Sequence, residues 1–166
     1  MAAAKHSQIP TICSLLLLCA ILPLMAAAAA QQRKPSVAVE GVVYCLSCKY
    51  AGSGSLIDAT PIKSANVSVS CANSGVYQIN QTDVHGYFYS WLDGPKLGRG
   101  SLGNPIQACT VKLVSSPLEA CNVPTDLNHG NDGAKLRFEG KVVKSPHYAV
   151  FYAAGPLAFR PQMCAN

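Results

Sequence analysis

The chain is poor in charge: 13 Lys/Arg and 8 Asp/Glu stand among 166 residues. The basic residues are scattered, apart from a modest cluster at Lys135, Arg137, Lys141 and Lys144. A nucleic-acid binder needs a denser basic stripe, so no nucleic-acid partner is expected. Beyond residue 30 no stretch is long and apolar enough to cross a bilayer, and no hydrophobic C-terminal tail suggests a lipid anchor. No segment carries the period of an amphipathic helix. The prolines are dispersed, without a Ser-Pro-Pro repeat or an Ala-Pro tract, which excludes a polyproline rod. A nucleophile-elbow motif is missing. The carboxylates Asp58, Asp83, Asp93, Glu119, Asp126, Asp132 and Glu139 stand mostly in turn-like segments, where Asp is expected to serve the backbone. They do not suggest the carboxylate pair that glycoside hydrolysis needs. His85, His129 and His147 are too far apart in sequence to point to a metal site. The sequence argues against an enzyme and for no metal or cofactor.

The N-terminus has one clear feature. Lys5 and His6 precede an apolar run from Leu15 to Met25, followed by five alanines, Ala26–Ala30. That is the pattern of a cleaved secretory signal peptide, with the cut expected after Ala30. A membrane anchor is the weaker reading, because the run is short and contains Pro23. Residues 31–36 then form a short polar lead, and 37–166 one β domain. The mature chain keeps 12 of the 13 Lys/Arg, all but Lys5, and all 8 acidic residues, for a net charge of +4. It is expected to be secreted, with no membrane association once the leader is cut.

Six cysteines remain after the leader: Cys45, Cys48, Cys71, Cys109, Cys121 and Cys164. An even set in a secreted domain implies three disulfides. Fifteen connectivities are possible. A Cys45–Cys48 bond would close a tiny loop and constrain the unfolded chain little. The Cys-x-x-Cys spacing also admits a thiol redox site or half a zinc site. A redox pair opens a helix, whereas Cys45 ends an apparent strand that runs into a Gly/Ser loop. No second pair at ligand spacing supports zinc.

The rest alternates with a period of two. Val37–Cys45, Ala65–Cys71, Val76–Asn80, Tyr87–Leu92, Gln107–Val114, Lys135–Val143 and His147–Tyr152 read as about seven short strands. Residues 93–105 and 117–133 read as irregular loops, and 153–164 as an extended tail. The expected fold is all-β: a small disulfide-stapled antiparallel barrel or sandwich. Asn66-Val-Ser68 and Asn80-Gln-Thr82 are N-glycosylation sequons. Both Asn66 and Asn80 are expected on the outward, polar faces of their strands. In Val76–Asn80, Tyr77 and Ile79 would then face inward.

The segments Glu40-Gly-Val-Val-Tyr-Cys-Leu-Ser-Cys48 and Thr82-Asp-Val-His-Gly-Tyr-Phe88 resemble the plant pollen Ole e I and extensin-like family. The tail Ala154-Gly-Pro-Leu-Ala-Phe-Arg-Pro161 is similar to the cysteine-containing C-terminal domain of non-classical arabinogalactan and proline-rich cell-wall proteins. The resemblance covers nearly all of the mature chain. It implies a secreted β domain with the pairing Cys45–Cys121, Cys48–Cys164 and Cys71–Cys109. It also implies a plant cell-wall protein that binds pectic or galactan polysaccharide. The His-rich and Pro-rich segments that usually precede such a domain are not found in this sequence, so functions that rest on them are not carried over.

Sugar rings stack on aromatic faces. Tyr87, Tyr89 and Trp91 would form such a platform if their side of the strand faces solvent; the alternative is that they fill the core and Phe88 faces out. The family pattern marks Phe88 as the core residue. For an acidic pectin the candidate contacts are Lys135, Arg137, Lys141 and Lys144, with Arg able to fork a carboxylate. The competing partner is another apoplastic protein, for which a flat apolar patch would be expected.

Overall fold

The computed structural model describes residues 36–72, 74–92, 104–143 and 149–164. The expected leader and cleavage site, Asp93, Lys144 and His147 lie outside the described residues.

Among the described residues there are ten strands. They are β1 (Ser36–Cys45), β2 (Thr60–Pro61), β3 (Asn66–Cys71), β4 (Val76–Gln81), β5 (Tyr87–Leu92), β6 (Cys109–Ser115), β7 (Val123–Pro124), β8 (Ala134–Lys135), β9 (Arg137–Val143) and β10 (Ala149–Arg160). β2, β7 and β8 are two-residue bridges, so the longer strands number seven. One helical turn, α1 (Pro105–Ala108), precedes β6, with the Asn104 side chain accepting the Ile106 N–H and Pro105 in its first turn. It replaces the start of the strand expected from Gln107.

The strands form two sheets packed face to face, and neither closes into a barrel. In the first, β1 and β10 are central; β5 and β2 pair with β1, and β9 and β7 with β10. The second has the order β4-β3-β6-β8. One expectation is corrected here. The β1–β10 pair is parallel, running from Ser36 opposite Ala149 to Cys45 opposite Phe159. A parallel pair needs a long crossover, and nearly the whole domain lies between these two strands. The segment read as an extended tail is therefore mostly strand: β10 continues to Arg160 and is clamped on β1.

β1 and β10 bury their inner faces, and on the outer face Ala38, Ala149 and Phe151 are buried as well, whereas Glu40, Val42 and Tyr44 are half-buried. Val37, Val39, Val43, Leu157 and Phe159 point inward with Phe88 and Leu92 of β5. They meet Val67, Val69, Val111 and Leu113 of the second sheet. Ala38, Ala149 and Phe151 form a separate small cluster on the other side, with Trp91 against it. Each fully buried Val, Leu or Phe contributes roughly 1.5–3 kcal/mol.

Candidate functional site

The Thr82–Gly86 turn sets the direction of β5. The Thr82 hydroxyl is buried, donating to the Ile62 carbonyl and accepting from the Ala65 N–H. Asp83 Oδ1 accepts from the N–H groups of His85 (2.8 Å) and Tyr87 (2.9 Å). Gly86 has φ +78°, and a Cβ there would lie 2.6 Å from the Val43 carbonyl oxygen. These residues build the turn.

The turn delivers β5 with Phe88 inward, 1% exposed, so its neighbours point out. Tyr87 is 57% and Tyr89 45% exposed, and Trp91 is half-buried. Tyr89 and Trp91 stack, with ring centroids 5.9 Å apart and planes 26° from parallel. Phe151 of β10 lies beneath both, at 5.9 and 6.2 Å. Four residues of strand separate Tyr87 from Trp91, about 14 Å at 3.4 Å per residue. The outer face of the first sheet thus carries an aromatic strip on an aromatic bed.

A cleft of about 300 Å³ opens on the same face. Its walls include Glu40 and Tyr44 of β1, Tyr87 of β5, Arg137 and Glu139 of β9, and Pro156 of β10. Arg137 Nη1 donates to the Gly155 carbonyl at 2.8 Å, which holds the guanidinium against the wall. Burial, and then the charge of Glu40, push the Tyr89 phenol above its ordinary 10.0. Glu40 is the residue that sequence reasoning missed. The available signal was its place as the single charge within Ser36–Cys45.

Lys135 and Arg137 of the basic cluster belong to different sheets. Lys135 is exposed in β8 and pairs with Thr110 of the second sheet. Arg137, two residues on, pairs with Ala153 of the first. Leu136 is buried between them, where the chain crosses from one sheet to the other. Lys141 lies on β9. Beside Arg137 the cleft holds two carboxylates, so its balance is not basic.

The two sequon asparagines are placed differently. Asn66 stands on the outer face of the second sheet, opposite Gln81, and its Nδ2 donates to Ser115 Oγ at 2.8 Å. The outward placement expected for Asn80 is overturned. It lies opposite the fully buried Val67, and its Nδ2 is enclosed without a hydrogen-bond partner. The apolar side of β4 faces out instead, with Tyr77 64% and Ile79 55% exposed. Packing explains the inversion. Gln78 Oε1 accepts a 2.9 Å bond from Ser90, which is wholly buried on β5. A buried hydroxyl needs such a partner, so the polar side of β4 turns inward.

The six cysteines lie in three bonded pairs. Cys71–Cys109 joins facing residues of β3 and β6. Cys45, at the end of β1, is bonded to Cys121. Cys48, in the following 3-10 turn, is bonded to Cys164. Neither thiol of the Cys-x-x-Cys pair is free for redox work.

Fold and site together define a disulfide-stapled β-sandwich that carries an aromatic strip on the outer face of its first sheet. The chain is a homologue of plant arabinogalactan, extensin-like and proline-rich proteins. It is 36% identical over 135 residues to "Non-classical arabinogalactan protein 30" of Arabidopsis thaliana, an alignment covering 77% of this chain and 54% of that one. It is 33% identical over 136 residues to "Pistil-specific extensin-like protein" of Nicotiana tabacum, covering 76% and 30%. The chain thus spans about half of the first relative and under a third of the second. Its fold matches the crystal structure of the major plantain pollen allergen Pla l 1, with TM-score 0.50, 22% identity and coverage of 79% and 98%. No protein-family model matches the chain. Among the described residues, no helix is long and apolar enough to cross a membrane.

Proposed function

We propose that this domain is a non-enzymatic extracellular component of the plant cell wall that binds a polysaccharide along the outer face of its first sheet. The observation that carries the reading is the solvent-facing strip Tyr87–Tyr89–Trp91, beside a cleft lined by Glu40, Arg137 and Glu139. Aromatic faces hold sugar rings, and a few charged groups at the rim bond their hydroxyls, the usual division of labour in a ligand site. The relatives' names, arabinogalactan and extensin-like protein, support the setting. Two carboxylates to one guanidinium favour a neutral polymer of the galactan type over an acidic pectin, whose carboxylates the cleft would repel.

The test compares binding of soluble galactan and polygalacturonan by affinity electrophoresis, for the native domain and for Tyr87→Ala/Tyr89→Ala. Both tyrosines are exposed, so the double variant keeps the core. Galactan retardation is expected to fall at least tenfold in the variant. It is expected to stay constant as salt rises, because no ion pair drives it. Unchanged galactan binding in the variant would sink the proposal. Strong, salt-sensitive binding of polygalacturonan alone would sink the preference for a neutral polymer.

A further inference from the structure

The two sequons look equivalent in sequence, and the fold makes them unequal. N-glycosylation joins Asn Nδ2 to the anomeric carbon of a lipid-pyrophosphate-linked oligosaccharide. That carbon's bond to the pyrophosphate breaks, the lipid pyrophosphate leaves, and Nδ2 gives up one proton. The modified nitrogen keeps one N–H and needs open space on its other side.

Asn66 meets both needs. Its Nδ2 stands on the outer face of the second sheet, and its one bond to Ser115 Oγ can be kept by the remaining N–H. Asn80 meets neither. Its Nδ2 is buried with no acceptor, opposite Val67 and on the same side as the Gln78–Ser90 bond that ties β4 to the first sheet. A sugar at Asn80 would hold β4 off β5, and a chain so modified would not reach this fold. We propose that the folded, secreted chain carries one N-linked glycan, on Asn66, and none on Asn80, and that this glycan shields the exposed side of β4.

The shielding follows from register. On the outer face Asn66 lies opposite Gln81 and Ser68 opposite Ile79, while Ser70 lies opposite Tyr77. Ile79 is thus one step along from the glycan's root, about 7 Å away. In the sheet order β4 stands at an end, and among the described residues its strand pairing is with β3. Its sequence VYQINQ holds no Lys, Asp, Glu or Pro, the residues that ordinarily protect such an edge. A glycan rooted beside it supplies the missing protection.

The experiment expresses the full chain in plant secretory cells. Peptides of the folded, secreted protein are mapped by mass spectrometry after enzymatic deglycosylation in heavy-oxygen water. Label is expected at Asn66 and none at Asn80. Ser68→Ala, which abolishes the first sequon without touching Asn66, is expected to yield an unglycosylated chain. Label at Asn80, or at neither site, overturns the assignment. For shielding, sedimentation of Ser68→Ala is expected to show self-association that the glycosylated chain lacks, and that Tyr77→Ser/Ile79→Ser abolishes. A Ser68→Ala chain that stays monomeric overturns the shielding. So does association that persists when Tyr77 and Ile79 are replaced.

Discussion

Gly41→Ala probes the packing on which the aromatic face rests. Gly41 lies opposite Phe88 on β5 and Ala154 on β10. A Cβ at this position would sit 2.4 Å from the Ala154 carbonyl oxygen and 2.6 Å from Cε1 and Cζ of the Phe88 ring. The first obstacle is backbone within the central parallel pair. The second is a ring 1% exposed, with nowhere to go. Overpacking a tight core costs about 1–3 kcal/mol, and two simultaneous clashes place this change near the upper end. About 3 kcal/mol lowers the folding constant roughly 150-fold, a large share of the 5–15 kcal/mol that domains possess. The assay is urea unfolding with the disulfides intact, followed by Trp91 fluorescence; the midpoint should fall with little change in slope. In the background of Gly41→Ala, Phe88→Leu should cost less than it does alone, because it also removes one clash. A loss below about 0.5 kcal/mol for Gly41→Ala would refute the reasoning, since neither neighbour could then be as fixed as described.

Tyr89 should titrate above 10.0, mainly because it is partly buried and secondly because of Glu40. Glu40→Gln should lower that value without abolishing the shift, while leaving Tyr152, raised by burial alone, unmoved. Phenolate absorbance near 295 nm reads both, and an unmoved Tyr89 would remove Glu40 from its surroundings. The sign follows from linkage: the fold favours the neutral phenol, so this stability is full below the unfolded value and is lost as pH rises through the folded one. Removing Cys45–Cys121 as Cys45→Ala/Cys121→Ala opens a loop of 76 residues. The Cys71–Cys109 bond lies inside that loop and shortens it, so loop-closure entropy sets the loss at about 4 kcal/mol. A loss under about 1 kcal/mol in urea unfolding would show that the unfolded chain is already confined near this contact.

Much of the fold is legible because a strand half-covered by a core must alternate. Most long strands announce themselves this way, though β10 does so only as far as Tyr152, and the Thr82–Gly86 turn does so by residue type. What alternation withholds is direction and sidedness. Nothing in Val37–Cys45 says that its neighbour will be the last strand, running parallel to it. The pattern of β4 separates Tyr77 and Ile79 from Gln78 and Asn80, but hydrophobicity then picks the wrong side. The deciding group is Ser90, distant in sequence, whose buried hydroxyl requires Gln78. Lys135 and Arg137 are separated for a related reason. Lys135 and Arg137 share a strand-like face, yet the chain changes sheets at Leu136 between them. Of the candidate site, the aromatic strip was visible in sequence and the cleft was not. The cleft depends on β10 standing between β1 and β9, and on a glutamate that looks like an ordinary polar tooth of its strand.

The Cys45–Cys48 pair gains a meaning beyond fastening. Leu46, between them, is buried and its N–H bonds the Phe159 carbonyl, so both cysteines are fixed against β10. Through Cys121, Cys45 draws in the segment that follows. In that segment Thr125 bonds the Ala158 carbonyl from both its N–H and its hydroxyl. Asn128 Nδ2 donates to the Pro156 carbonyl at 2.8 Å. Pro156 is a wall of the cleft, and the neighbouring Gly155 carbonyl positions Arg137. A chain of contacts therefore runs from one disulfide to one wall of the cleft. The aromatic strip owes nothing to that chain. Tyr89 and Trp91 are placed by β1–β5 pairing and by Phe151. The two halves of the proposed surface thus rest on separate supports. Loosening the Cys121 segment should weaken contacts made by Arg137 and leave ring stacking on β5 in place.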